Sequence, residues 1–163
     1  FNMQNASISL NIYAICANIL AGDTMNNVKI YNNLPDEAKK IRTDVFINEQ
    51  GFNNEFDEID GRSLHFLLFK DNNAIATGRM FTDDDGKSYH IGRVAVLKEY
   101  RKYHAGSELM TAMIEKSKEL KAEKIVLSAQ CRVKEFYKKL GFTEVGDIYY
   151  DEYCPHIQME LKL

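Results

Sequence analysis

The segment from Val94 to Gly106 constrains this chain more than any other. Val94-Ala95-Val96-Leu97 is an unbroken apolar run, and Lys98-Glu99-Tyr100-Arg101-Lys102-Tyr103-His104-Ala105-Gly106 follows it directly. A half-buried strand would alternate, so an unbroken run fits a strand covered on both faces. Leu109, Met110, Met113, Ile114 and Leu120 then recur on one side of a helix that starts near His104. A buried strand that turns through a short loop into a helix is an anion site by construction. The free N–H groups of the first helical turn point into the loop, at the positive end of the helix dipole. Arg101 and Lys102 add charge, and a guanidinium can grip a phosphate with two parallel hydrogen bonds. A capped helix with solvated basic residues is the plainer reading of the same loop.

The remaining pattern fills in a mixed α/β layer fold (α+β). Val28 and Ile30 signal a short strand. Pro35, Asp36 and Glu37 suit the start of a helix capped near Asn33, and Ala38, Ile41, Val45 and Phe46 carry its apolar face to a stop at Gly51. The acidic stretch from Asn53 to Gly61 reads as a solvated loop, with Glu55, Asp57, Glu58 and Asp60 as an attractor for a cationic partner in the alternative. Strands follow at Leu64–Lys70, Ala74–Phe81 and Tyr89–Leu97, with a tight hairpin at Asp85-Gly86. After the helix come a buried strand at Ile125–Leu127, a short helix carrying Val133, Phe136, Tyr137 and Leu140 up to Gly141, and one or two strands in which Ile157, Met159, Leu161 and Leu163 alternate with polar residues.

Composition excludes several classes. The chain of 163 residues carries 21 Lys and Arg against 24 Asp and Glu, a net charge of −3. A protein that tracks a phosphate backbone needs the opposite balance, so no nucleic-acid partner is expected. No apolar run is long enough for a bilayer, so no membrane partner is expected. Three cysteines without a C-x-x-C pair fit a reducing, cytoplasmic compartment. Residues 1–24 read as an N-terminal extension or upstream artefact ahead of a natural start at Met25, without the basic opening of a secretory signal. Gly86-Lys87-Ser88 imitates the end of a P-loop, but Phe81 stands where its first glycine belongs. A calcium loop fails at Phe56, and the histidines at 65, 90, 104 and 156 lack ligand spacing, so no metal is expected. Cys131, between a strand and a helix, reads as a plain buried thiol.

Four segments together resemble the GNAT superfamily of acyl-CoA-dependent N-acyltransferases. They are Ile91-Gly92-Arg93-Val94-Ala95-Val96, the turn Tyr100 to Gly106, Leu127-Ser128-Ala129-Gln130, and Phe136-Tyr137-Lys138-Lys139-Leu140-Gly141-Phe142. Val45-Phe46-Ile47-Asn48-Glu49-Gln50, with Gly78-Arg79 and Pro155-His156, is similar to the ElaA-like bacterial branch. The resemblance spans residues 25–163 as a single domain. It implies a central, mixed but mostly antiparallel sheet flanked by helices. One departure stands out: the family turn Arg/Gln-x-x-Gly-x-Gly/Ala keeps Arg101 and Gly106 but has His104 in place of its first glycine.

The resemblance also implies a chemistry. Acetyl-CoA is the cosubstrate, with its pantetheine arm along Val94, Ala95 and Val96 and its diphosphate on the turn Arg101, Lys102, Tyr103, His104, Ala105, Gly106 and Ser107. A primary amine, small or peptidic, attacks the thioester directly. Glu49 and His156 are the candidates for taking its proton, and Tyr137 matches the family tyrosine that supplies a proton to the leaving thiolate. Gln130 and Arg79 orient substrate polar groups, and Arg93 is an electrostatic support. A non-catalytic acyl-CoA-binding or sensing module is the alternative function, a CoA-independent scaffold is a third, and a homodimer is possible.

Overall fold

The computed structural model describes residues 27–82 and 86–163. The expected N-terminal extension at 1–24 and the hairpin tip at 83–85 lie outside the described residues. The elements run β1 (Asn27–Tyr31), α1 (Asp36–Arg42), a π-helical turn (Thr43–Glu49), a 3₁₀ turn (Glu58–Arg62), β2 (Leu64–Lys70), β3 (Asn73–Thr82), β4 (Ser88–Val96), a 3₁₀ turn (Lys98–Tyr103), α2 (Ala105–Glu119), β5 (Lys124–Gln130), α3 (Lys134–Lys139), β6 (Thr143–Asp151) and β7 (Cys154–Lys162). The seven strands form one sheet in the order β1-β2-β3-β4-β5-β7-β6. All pairs are antiparallel except β4 with β5. This is the expected mixed, mostly antiparallel sheet, and both tail strands are present.

Helices cover both faces. On one face, Leu109, Met110 and Met113 of α2 and Tyr137 of α3 pack with Phe66, Leu68, Met80, Ile125, Leu127 and Met159. On the other, Ala38 and Ile41 of α1 and Val45 of the π turn pack on Leu67 and Ala95. The run Val94–Leu97 therefore meets apolar partners above and below, with Val94 and Val96 toward α2 and Ala95 and Leu97 toward α1. Gly78 of β3 lets α2 come close: a Cβ there would lie 2.7 Å from Met113 Sδ. Some apolar positions depart from expectation. Ile30 in β1 and Leu163 after β7 are exposed, as are Leu120, which caps the end of α2, and Val133, which precedes the first residue of α3.

The acidic loop is only partly solvated: Asp57 and Glu58 are exposed, whereas Glu55 and Asp60 are buried. Arg42, fully buried at the end of α1, reaches Glu55 (Nε to Oε1, 2.7 Å) and Asp60 (Nη1 to Oδ1, 2.7 Å). Arg79 of β3 bonds Asp57 (2.6 Å) and Asp60 (2.9 Å), and Arg93 of β4 bonds the Glu55 carbonyl (3.0 Å) and Asp57 (3.2 Å). His65 donates from Nε2 to the Asp60 carbonyl at 2.9 Å. Desolvation makes a buried charge costly unless it is paired and hydrogen-bonded, so three arginines from three elements fold the loop inward. Only Glu58 of the four acids stays without a share in this network.

Replacing Arg42 by Leu strands two carboxylates in the interior. Unfolding by urea at pH 7 is expected to show a loss of about 3–5 kcal/mol. Burial alone would raise the Asp60 pKa, but hydrogen bonds from Arg42 and Arg79 outweigh it and bring it down to about 2. Its unfolded value is ~3.9. The stability Asp60 contributes is therefore present above about pH 4 and lost as pH falls through about 2. Acid unfolding of Asp60→Asn is expected to show a shallower fall across that window.

Candidate functional site

The site begins where two strands part. β4 and β5 pair in parallel only from Ser88 opposite Lys124 to Ile91 opposite Leu127. Beyond that, β4 continues on β3 and β5 continues on β7. The cause is local. Arg79 faces Gly92 and Thr77 faces Ala95, so β4 spends three residues where β3 spends two. Arg93, the bulged residue, takes φ 52°. A bulge bends its strand and increases the local twist, which swings the β4 end away from β5. A cavity of about 640 Å³ fills the gap. Gly92 to Val96 line one side, and Leu127, Ser128 and Gln130 line the other. The β4 edge that faces the cavity has no strand partner there, so apart from the Val96 carbonyl, which accepts from Arg101 Nε, its backbone polar groups need another ligand.

The turn after β4 closes one end. The 3₁₀ turn Lys98–Tyr103 leads to His104 in the left-handed region (φ 57°), and α2 starts at Ala105. The first helical bond runs from the Glu108 N–H to the His104 carbonyl (3.0 Å), so the N–H groups ahead of it lack a helical acceptor. Gly106 and Ser107 line the cavity at this point. A Cβ on Gly106 would stand 3.4 Å from Phe136 and 3.6 Å from Val96, filling the space between helix, strand and α3. The family glycine replaced by His104 thus marks a backbone that needs positive φ, which His adopts at a cost of about 1–2 kcal/mol.

Of the residues singled out in the sequence, Glu49, Val94, Ala95, Val96, Arg101, His104, Gly106, Ser107, Gln130, Tyr137 and His156 all line the cavity. Four do not. Lys102 and Tyr103 project from the turn, with the Lys70 ammonium 4.8 Å from the Tyr103 ring; Ala105 is packed in the core; Arg79 sits in the buried ionic network. Arg101 is already engaged. Both its terminal nitrogens bond Glu49 at 2.7 Å, and its Nε donates to the Val96 carbonyl at 3.0 Å. The Arg101 hydrogen bonds hold the Glu49 carboxyl below its ordinary range.

His156 and Tyr137 are differently placed. Ile157 and Met159 point into the α2 layer, so strand alternation turns His156 to the α1 face, where it meets Phe52 and Tyr149. Its Nδ1 lies 2.9 Å from the Cys154 carbonyl. A carbonyl only accepts, so Nδ1 carries a proton, and in the neutral ring the lone pair falls on Nε2. Tyr137 lies on the opposite, α2 and α3 face, between Phe136 and Phe142. Burial pushes its phenol up to about 12, which keeps it protonated. The sequence reading missed Gln50, Phe52, Arg132, Asp151 and Glu152 on the cavity wall. Glu152 accepts from the Asn53 and Asn54 N–H groups at 3.0 and 3.1 Å, across a separation of about 100 positions that no local pattern announces.

Restoring glycine at His104 removes the left-handed strain of a side chain. His104→Gly is expected to unfold at higher temperature, with a gain of about 1 kcal/mol partly offset by the freer unfolded chain.

Among the described residues, no helix is long and apolar enough to cross a membrane, and no group of three or more His, Cys, Asp or Glu side chains gathers as a metal site. Residues 31–163 match the family model described as an acetyltransferase (GNAT) domain. ElaA of Escherichia coli is 33% identical over 127 residues, covering 74% of this chain and 82% of ElaA. YyaT of Bacillus subtilis is 32% identical over 132 residues, covering 78% of this chain and 88% of YyaT. The crystal structure of Escherichia coli ElaA superposes with a TM-score of 0.75 at 27% identity, over 83% of this chain and 99% of that one. An acyl-CoA N-acyltransferase from Pseudomonas aeruginosa superposes with a TM-score of 0.72 at 25% identity, over 83% and 97% of the two chains. With its parted strands, its glycine turn and these relatives, the chain belongs to the GNAT acyltransferase family.

Proposed function

We propose that this protein moves an acetyl group from acetyl-CoA to a primary amine by direct attack. The observation that carries this reading is the cleft between β4 and β5, lined by His156 on one face and by the buried phenol of Tyr137 on the other. The free edge of Val94–Val96 suits the amides of a pantetheine arm, and the N–H groups at Gly106 and Ser107 suit its diphosphate. The thioester carbonyl then sits between His156 and Tyr137.

An alkyl amine with a pKa of ~10.4 is neutral in only about one molecule in 10³ or fewer at pH 7. In the tautomer that donates Nδ1–H to the Cys154 carbonyl, neutral His156 takes the proton at Nε2 as nitrogen bonds to the carbonyl carbon. A positioned base of this kind contributes roughly 10²–10⁴-fold. Collapse of the tetrahedral intermediate breaks the carbon–sulfur bond on the far side, where Tyr137 stands. A thiol has a pKa of ~8.5, so complete transfer from a phenol held at about 12 is uphill. Tyr137 therefore shares its proton with the developing thiolate in a hydrogen bond before solvent completes the transfer.

Thiol release from acetyl-CoA with a panel of small and peptidic amines tests the reading. Tyr137→Phe is expected to lower kcat about 10²-fold and to leave CoA affinity within about twofold. His156→Gln is expected to lose a similar factor, recovered partly as rising pH deprotonates the amine itself. CoA binding without thiol release from any amine would convert the reading to a non-catalytic acyl-CoA-binding module.

A further inference from the structure

Glu49 and Gln50 are consecutive, at the end of the π-helical turn, and each reaches one arm of the cleft. The Glu49 carboxylate holds Arg101 with two bonds of 2.7 Å, and Arg101 Nε holds the carbonyl of Val96, the last residue of β4. Gln50 Oε1 accepts from Gln130 Nε2 at 2.9 Å, and Gln130 is the last residue of β5. The sheet ladder between these strands stopped at Ile91 and Leu127. We infer that Glu49 and Gln50 form a two-armed clasp that sets the separation of the β4 and β5 ends, which makes them positioning residues for the thioester. This rests on the acyl-CoA reading above.

The clasp has what such a device needs. Its base is one peptide unit, the shortest covalent span between two side chains. The wide turn that carries it is closed by Gln50 N–H to the Val45 carbonyl (3.2 Å) and Phe52 N–H to the Phe46 carbonyl (2.9 Å), and π turns of this kind are frequent at functional sites. The turn is anchored in turn: the Tyr153 hydroxyl donates to the Gln50 carbonyl, and the Phe52 and Tyr153 rings stack at 5.3 Å. Both Glu49 oxygens are spent on Arg101, and that pairing lowers the carboxyl's affinity for a proton. This is the opposite of what a base at neutral pH requires.

Calorimetry with CoA alone tests the clasp without relying on turnover. Gln50→Leu and Gln130→Leu are each expected to weaken CoA binding about five- to tenfold, with the double variant no worse than either single. Gln50→Asn, one methylene short, gives the same direction in a variant with a smaller change. Glu49→Gln is expected to weaken CoA and leave the acidic limb of the kcat–pH profile in place. Additive effects of the two Leu variants, wild-type CoA affinity in all of them, or a Glu49→Gln enzyme with intact CoA binding and a lost acidic limb would each overturn the clasp. A wild-type protein that does not bind CoA would overturn the acyl-CoA reading together with it.

Discussion

The structure turns on the failure of β4 and β5 to stay paired. Parallel strands normally exchange slanted hydrogen bonds along their shared length. Here four residue pairs do so and the rest do not. One extra residue at Arg93 is enough, because it shifts the register against β3 and rotates everything after it. The unpaired backbone is an energetic liability inside a protein. In the proposed function this edge meets a ligand rich in amides, so one local irregularity would supply both the space and the hydrogen-bonding groups.

The same residue joins the cleft to the buried charges. Arg93 lines the cavity and also bonds the Glu55 carbonyl and Asp57. Through Glu55 and Asp60 the network extends to Arg42 at the end of α1 and to Arg79 in β3. Buried ion pairs are weak evidence for net stability, yet breaking one is costly. The network reads best as a device for geometry: it fixes the loop beyond the π turn, and therefore the roof of the α1 face, relative to the bulge.

The two faces of the sheet separate the two groups proposed to handle protons. Alternation along β7 puts His156 on the α1 side, whereas α3 carries Tyr137 on the other. Nucleophile and leaving group must occupy different directions around a tetrahedral carbon, so a cleft that passes between the faces is a natural place for acyl transfer. Burial keeps Tyr137 protonated, and the Cys154 carbonyl fixes which ring nitrogen of His156 donates. Glu49, a candidate base through the family resemblance, is paired with Arg101, which lowers its affinity for a proton.

The order of elements, the doubly covered Val94–Leu97 strand, the helix after His104 and the alternation of the tail were all legible from periodicity. They depend on which neighbours along the chain are apolar, and that is written locally. The turn from Arg101 to Gly106 was legible as a strand-to-helix junction for the same reason, since strand, glycine and helix are adjacent in sequence. What Glu55, Asp57 and Asp60 do was not legible: an acidic loop looks solvated until arginines 13 to 38 positions away are brought beneath it. The partners of Glu49, Gln50 and Glu152 lie about 50 to 100 positions off. Local sequence sets the period of a strand or helix through backbone geometry and burial. Which charge faces which, and how far two strand ends stand apart, is set by long-range packing and belongs to the tertiary structure alone.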